Sequence, residues 1–303
     1  MTIPSRVTDT SMATKALSDL QRSQARSQKI QSQISGGKLL TRPSDSPTGT
    51  VTSLQLRGEV RATQQYGRNS QDGLGWLGTI QDTLGDASSS VIRVRDLTVQ
   101  ALSSSNNDQS REAMAVEIDN IRQQLLGQAN GKYMDRPVFG GTTPGGVAYQ
   151  QDTTTGEMKY VGNDNPTTRT VGPNAKVRIE TTGPEAFGKP GTDTELFSLL
   201  DTISKSIRSD DQDTLNKSLE NLDTAHDLLK SALSDVGARY NRVEQMKQSA
   251  DDHLLSVSSQ LSDIEDVDLP KAIMELQIQQ TSYQAALAAT AKVIQPSLID
   301  FLR

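Results

Sequence analysis

The sequence contains no cysteine, only two histidines and one tryptophan, and 4% aromatic residues in all. The missing cysteine excludes disulfides, thiolate catalysis and Cys-ligated zinc. With so few soft or imidazole ligands, Asp251-Asp252-His253 and the run Asp263, Glu265, Asp266, Asp268 read as a solvated acidic face rather than a metal site. An apolar content of 34% is thin for a compact enzyme core and natural for coiled coils with two-position seams. No run of about 18 apolar residues occurs, so no segment is expected to span a membrane. The start, Met1-Thr2-Ile3-Pro4-Ser5-Arg6, lacks the apolar stretch of a cleavable secretory signal. The expectation is a protein that stays inside the cell or leaves by a route needing no such signal.

Catalytic motifs are missing too. There is no GxSxG and no credible Ser/His/Asp grouping. Ser35-Gly36-Gly37-Lys38-Leu39 falls short of a phosphate loop, because Ser32 stands where the first glycine is needed and Leu39 follows the lysine. Trp76 and Tyr66, flanking Gly67, Gly73 and Gly75, read as packing residues. A net charge of −6 argues against nucleic acid as a partner. The expectation is a non-enzymatic protein without catalytic residues, cofactor or metal.

What is present is a long apolar stripe. From Leu215 the spacing alternates four and three without a slip: Leu215, Leu219, Leu222, His226, Leu229, Leu233, Val236, Tyr240, Val243, Lys247, Ala250, Leu254, Val257, Leu261 and Ile264. A strict seven-residue repeat predicts one helix whose seam faces another helix along its whole length. At 1.5 Å per residue it would be roughly 75 Å long. His226 at a seam position reads as a polar register-setting residue.

The N-terminal part supplies a partner. Pro43-Ser44-Asp45-Ser46-Pro47 is a breaker with Ser46 placed to cap a helix that opens on Pro47. A seam follows at Leu77, Ile80, Leu84, Ala87, Val91, Val94, Thr98 and Ala101. Asp108 can cap the next helix, which carries Met114, Ile118, Ile121 and Leu125 and runs to about Asn130. Residues 137–191 differ in kind, with ten of the 22 glycines and six of the 11 prolines. Short β-like runs occur at 146–149, 158–161 and 176–180, and a small β insertion at the far end of the helical part is predicted. Helix resumes where Thr192 with Glu195, and then Ser209 with Gln212, form capping patterns.

These features predict a mainly α protein, a long antiparallel helical coiled-coil rod formed by the N- and C-terminal parts with a small β-rich insertion. By the length prior, 303 residues have room for about two domains. The expected divisions are 1–42 with 268–303 as a terminal helical polymerisation domain, 43–136 with 192–267 as the rod, and 137–191 as the insertion. The intramolecular seam is expected at Leu84, Val91, Val94, Leu219, Leu222, Leu229, Leu233, Val236, Tyr240, Val243, Leu254, Val257, Leu261 and Ile264.

The two ends carry opposite charge. Met1 to Arg68 holds ten Lys and Arg against four Asp and Glu, and Asp251 to Arg303 holds three against eight. That favours their antiparallel pairing. Beyond Pro270 the heptad resumes as Ile273, Leu276, Gln280, Tyr283, Leu287, Thr290 and Ile294, and from Gln277 to Leu298 the only charge is Lys292. A solvent-facing helix normally carries several charges, so this one is expected to have neighbours on more than one side. Its available partner in the chain, Met1 to Leu40, offers little beyond Val7, Leu17, Leu20, Ile30 and Ile34. The expectation is a pair of ends disordered in the monomer and ordered against other copies through Val7, Leu17, Leu20, Ile30, Ile34, Ile273, Leu276, Tyr283, Leu287, Ile294, Leu298 and Phe301.

The residues themselves resemble a known family, the flagellin superfamily of bacteria. The N-terminal stretch covers Leu17 to about Asn130. It includes Gln33-Ile34-Ser35-Gly36-Gly37-Lys38, Pro43-Ser44-Asp45-Ser46-Pro47 and Val91-Ile92-Arg93-Val94-Arg95-Asp96-Leu97-Thr98-Val99-Gln100-Ala101. The C-terminal stretch runs from Val236-Gly237-Ala238-Arg239-Tyr240-Asn241-Arg242, with Ala289-Thr290-Ala291-Lys292-Val293-Ile294-Gln295 and Leu298-Ile299-Asp300-Phe301-Leu302. The Pro-Ser-Asp-Ser-Pro form is similar to the hook–filament junction branch of that superfamily. The resemblance implies a flagellar structural protein exported through the type III channel without cleavage and guided by a cytoplasmic chaperone. It implies a homo-oligomeric ring stacked between hook-associated protein 1 and flagellin. A filament flagellin, or a cytoplasmic coiled-coil scaffold or signalling hairpin, remains as an alternative.

If the ends are marginal in the monomer, limited proteolysis removes Met1 to Leu40 and Pro270 to Arg303 quickly. The part from about Pro43 to Ile264 survives, as mass spectrometry of the digest will show.

Overall fold

Helix termini in this chain fall where short polar side chains can take up free backbone N–H groups. The computed structural model describes residues 9–103, 107–143, 145–152 and 156–301, with the helical backbone alone for 9, 10, 12, 13 and 292–301. Helix α1 spans Asp9–Gly36, α2 Pro47–Ala101 and α3 Asp108–Ala129. Six short strands follow: β1 Lys132–Tyr133, β2 Arg136–Pro137, β3 Tyr149–Gln151, β4 Met158–Tyr160, β5 Thr168–Gly172 and β6 Ala175–Arg178. Then come α4 Gly183–Phe187, α5 Leu196–Ser209, α6 Gln212–Glu265 and α7 Leu269–Phe301.

Ser46 caps α2 as expected, its Oγ accepting from Gly49 N–H at 3.1 Å. Elsewhere the caps shift by a residue or more. Asn107, not Asp108, accepts from Ser110 N–H at 2.8 Å at the start of α3. Asp211, not Ser209, accepts from Thr214 N–H at 3.1 Å at the start of α6. Glu195 stands at the N-cap of α5, and Thr192 instead closes the preceding turn through its carbonyl. Asp268 accepts from Lys271 N–H at 3.1 Å, which places Pro270 in the first turn of α7, where a missing N–H costs nothing.

Cα proximity divides the chain into two compact units, one of residues up to Arg61 with those from Leu254, the other Ala62–His253. In the second unit α2 and α6 run antiparallel. Arg95 Nε pairs with Asp223 at 2.7 Å, and Ser88 Oγ lies 2.9 Å from His226 Nε2. Gly78 faces Tyr240 and Gly73 faces Val243. Leu84, Val91, Val94, Leu222, Leu229, Val236 and Val243 are buried there, and Leu219, Leu233 and Tyr240 are half-buried. α3 and α5 complete the layer with Met114, Ile118, Leu125, Leu200, Ile203 and Ile207. Arg122 of α3 pairs with Asp201 of α5 at 2.6 Å. The fold is mainly α, with long helices paired antiparallel and a few small strand pairs.

His226 is buried at its seam position, where the Ser88 hydroxyl lies at hydrogen-bonding distance from Nε2. Desolvation by burial holds its imidazole below the usual histidine range. Such a group breaks the apolar stripe and favours one alignment of α2 on α6.

The β-rich segment is three separate antiparallel hairpins, β1 with β2, β3 with β4 and β5 with β6. It lies beside the middle of α2 and α6, not at the far end of the helices as expected. The reason can be counted: α3 has 22 residues and retraces the last 22 or so of α2, so the chain enters β1 level with Trp76. The Trp76 and Tyr133 rings meet edge to face at 5.8 Å, and a Cβ at Gly75 would collide with the Tyr133 hydroxyl. Hairpin β5–β6 is tied to α2 by Arg169–Asp72 at 2.7 Å and by Asn69 Nδ2 donating to Thr170 O at 2.8 Å. Arg239 of α6 donates to Glu180 O at 2.7 Å. Phe187 meets Phe139, Tyr149 and Phe197 edge-on or tilted, and Tyr149 meets Phe197, an aromatic group that joins this segment to α5.

Leu229 is 1% exposed, whereas Leu255 on the same helix is 72% exposed. Leu229→Asp buries a charge at a cost of several kcal/mol and is expected to lower the melting temperature by ~10 °C or more. Leu255→Asp leaves it within ~2 °C, so differential scanning calorimetry of the two variants checks the seam directly.

Candidate assembly site

The unit that holds both chain ends is built from α1, α7, the first turns of α2 and the last turns of α6. α1 and α7 pair antiparallel, with Gln279 Nε2 donating to Ser23 Oγ at 2.7 Å and to Ser23 O at 3.2 Å. Along α1 the half-buried positions at heptad spacing are Ala16, Leu20, Ser23, Ser27, Ile30 and Ile34, with Gln33 half-buried beside the last. Along α7 the inward set is Ala272, Leu276, Gln279, Tyr283, Ala286 and Thr290. Both sets keep heptad spacing, but α7 turns a different edge to its partner than the largest residues suggested. Ser23 of α1 accepts from Gln279, Ala272 and Ala286 share that inward edge, and the bulkier Ile273 and Leu287 stay outside.

Of the expected assembly residues, Leu20, Ile30, Ile34, Leu276 and Tyr283 are therefore half-buried between α1 and α7. Leu17, Ile273 and Leu287 are exposed. Val7 lies outside the described residues, as do the side chains of Ile294, Leu298 and Phe301. Leu269, Met274 and Ile278 are also exposed, the last at 61%. At 100° per residue, Leu269, Ile273 and Leu287 flank the seam on one side, while Met274 and Ile278 lie across the helix from it. Sequence reasoning missed Met274 and Ile278 because they fall outside any single heptad stripe.

Burial in this unit is sparse. Among the described residues, Val257 and Ala272 are its only buried apolar side chains; Leu254, Leu261 and Ile264 are half-buried. Burying a Leu-sized side chain contributes about 1.5–3 kcal/mol, while fixing each backbone residue costs about 1–2 kcal/mol. Helices of 28 and 33 residues cannot offset that ordering cost across so thin a seam.

The strongest contacts gather where both helix pairs break. Leu39 N–H donates to Glu265 O at 2.6 Å and Val267 N–H to Gly37 O at 3.1 Å, a short two-stranded bridge. Gly37 has φ +65°, which suits glycine and lets the chain leave α1 at that angle. Glu265, assigned above to a solvated acidic face, has a side chain only 4% exposed and is ion-paired. Arg57 of α2 reaches its carboxylate at 2.6 and 2.7 Å. Lys38 lies 2.5 Å from Asp266 Oδ1 and 3.5 Å from Glu265. The lysine of the phosphate-loop look-alike thus serves an ion cluster. The Arg57 hydrogen bond holds the Glu265 carboxyl below the usual carboxylate range despite desolvation, and the Lys38 bond does the same for Asp266.

The site is a helix pair with apolar residues turned outward on several sides, the geometry of a subunit in a larger assembly. Models of the bacterial flagellin N-terminal helical region and C-terminal helical region match residues 7–134 and 219–302. The chain is 26% identical over 303 residues to the flagellin of Bacillus subtilis, covering 96% of each. It is 24% identical over 293 residues to flagellar hook-associated protein 3 of Escherichia coli, covering 88% of this chain and 90% of that protein. In fold it is similar to a putative flagellar hook-associated protein from Vibrio parahaemolyticus, with TM-score 0.67 and 22% identity over 73% of this chain and all of that one. The flagellar junction protein FlgL from Legionella pneumophila gives TM-score 0.58 and 16% identity over 71% of this chain and 99% of that one. The chain belongs to the bacterial flagellin family. It is a structural component of the flagellum and not an enzyme.

Because the folded-state pKa of Glu265 is depressed, its contribution is present above its ordinary value of 4.5 and lost as pH falls through the lower folded value. The stability difference between the native chain and Glu265→Gln, measured by thermal melts at several pH values, is therefore expected to be largest near neutrality. It shrinks toward zero below pH 4.5.

Proposed function

We propose that this chain is the subunit that joins hook to filament, assembling as a ring through α1 and α7. The observation that carries the reading is the helix pair with almost no buried core of its own and exposed apolar residues on more than one side. Neighbouring copies, with hook-associated protein 1 below and flagellin above, would cover those residues and supply the missing burial. The route to that position would be uncleaved export through the flagellar type III channel, attended by a cytoplasmic chaperone.

The breaker segment supports the junction branch over a filament subunit. Asp45 takes Thr41 N–H at 3.2 Å, Thr41 Oγ1 at 2.9 Å and Arg42 N–H at 2.9 Å on one oxygen. Lys29 of α1 pairs with its other oxygen at 2.9 Å, and these bonds, Lys29 foremost, hold the carboxyl well below its usual range. Pro-Ser-Asp-Ser-Pro thereby fixes the connection and caps α2. A filament flagellin is the second reading, favoured by the match to the Bacillus subtilis protein over nearly the whole chain.

Truncation after Asp268 removes α7 but leaves the Ala62–His253 unit intact, so a soluble, folded chain is expected. Ile278→Asp changes a residue that is exposed within the chain and leaves its melting profile unchanged. In a strain lacking its junction protein, both variants fail to restore swimming, with flagellin released into the medium and hooks bare by electron microscopy. The native chain restores both. Restoration by the truncated chain would sink the reading, and long homopolymers of the purified protein would favour the filament subunit instead.

A further inference from the structure

Both long connections in the unit of the chain ends break at one level. The chain leaves α1 at Gly36 and α6 at Glu265, and the two breaks are stapled to each other by the Leu39–Glu265 and Val267–Gly37 backbone bonds. Glu265 sits on that staple. Its carboxylate is held from two directions, by Arg57 of α2 and by Lys38 of the α1–α2 connection, so one buried charge ties three segments together. A buried carboxylate is tolerated only while its partners stay in place, which makes the arrangement cooperative. Asp266 extends the cluster, taking Lys38 at 2.5 Å and Ser262 Oγ at 2.5 Å. The Lys38 ammonium also lies by the C-terminal end of α6, where the helix dipole favours positive charge.

The two sides of this staple differ in kind. On one side, α1 and α7 meet across small and polar residues mixed with half-buried Leu20, Ile30, Ile34, Leu276 and Tyr283, and Ala272 is the only fully buried apolar side chain among those described. On the other, the ends of α2 and α6 bury Val257 and Ser53. With α1 and α7 opened, the first turns of α2 and the last turns of α6 become free ends that fray one hydrogen bond at a time unless something holds them.

We propose that the Glu265 cluster is that boundary: a charge clamp that stops opening of the α1–α7 pair from running into α2 and α6. The terminal helices are then free to rearrange against other copies while the segments that carry them stay folded. The inference rests on the reading that α1 and α7 take their order from neighbours. It assigns Lys38, Arg57 and Glu265 a role distinct from the intermolecular contact itself.

Hydrogen exchange followed by mass spectrometry on the full-length, unassembled chain tests it. In the native chain, peptides of α1 and α7 exchange at least about tenfold faster than peptides covering 47–61 and 254–265, a factor that corresponds to ~1.4 kcal/mol. In Glu265→Gln, and separately in the Lys38→Met/Arg57→Met double variant, peptides covering 47–61 and 254–265 speed up by about tenfold or more. Peptides from 76–101 and 222–243 do not change in either variant. Unchanged exchange of 47–61 and 254–265 in both variants overturns the clamp. Exchange of α1 and α7 as slow as that of 47–61 in the native chain overturns instead the reading on which the clamp rests, so the two failures are told apart.

Discussion

Two helices of 55 and 54 residues, separated by more than a hundred residues of chain, must meet antiparallel and in one register. A two-position apolar seam fixes the direction of burial but tolerates slips of a whole heptad, because every step presents similar residues. Register therefore has to come from positions that are not interchangeable. His226 against Ser88, Arg95 against Asp223, and Arg57 against Glu265 are such positions. Exposed ion pairs contribute at most about 1 kcal/mol each, so the Arg95 pair selects alignment more than it stabilises. The buried histidine and the buried glutamate carry heavier penalties for misplacement, because a slip strands a polar group in an apolar seam.

The β-rich hairpins depend on the same alignment. α3 and α5 return the chain along the α2–α6 pair, and β5–β6 is then anchored to both long helices through Asp72, Asn69 and Arg239. Three hairpins of two to five residues per strand have little stability alone. Packed on a fixed helical floor, they enclose the aromatic group of Phe139, Tyr149, Phe187 and Phe197. Few aromatics suffice because the long seams are closed mainly by aliphatic residues, with Trp76 of α2 turned to Tyr133 of the hairpins.

Much of this was legible from spacing. The alternation of four and three from Leu215 to Ile264 specifies a helix and its inward edge without reference to the partner, and breakers such as Pro43 to Pro47 mark where helices begin. The hairpins at 132–137 and the position of the insertion were not legible, since β1 and β2 are two residues each and the placement requires counting turns of α3. The inward edge of α7 escaped for a different reason. Pattern reading assigns the largest residues to the partner in the same chain, yet α1 is so poor in large apolar groups that α7 turns Ala272, Gln279, Ala286 and Thr290 to it beside Leu276 and Tyr283. Glu265 was read as solvated for lack of any local sign that Arg57, 208 residues away, would meet it.

The mismatch at α7 bears most on function. A helix optimised for its own monomer would turn Ile273 and Leu287 inward; this one leaves both exposed and faces its partner with Ala272, Gln279 and Ala286 beside Leu276 and Tyr283. Burial within the subunit is given up where burial between subunits would compensate, as in segments that gain order on association. Such a device works only if the weak part can be remodelled without loss of the strong part. The chain separates the two by composition, with apolar seams in the long helices and polar, small residues at the ends. At the point of change it sets a short two-stranded bridge and one buried carboxylate where an uninterrupted helix would have transmitted every fluctuation.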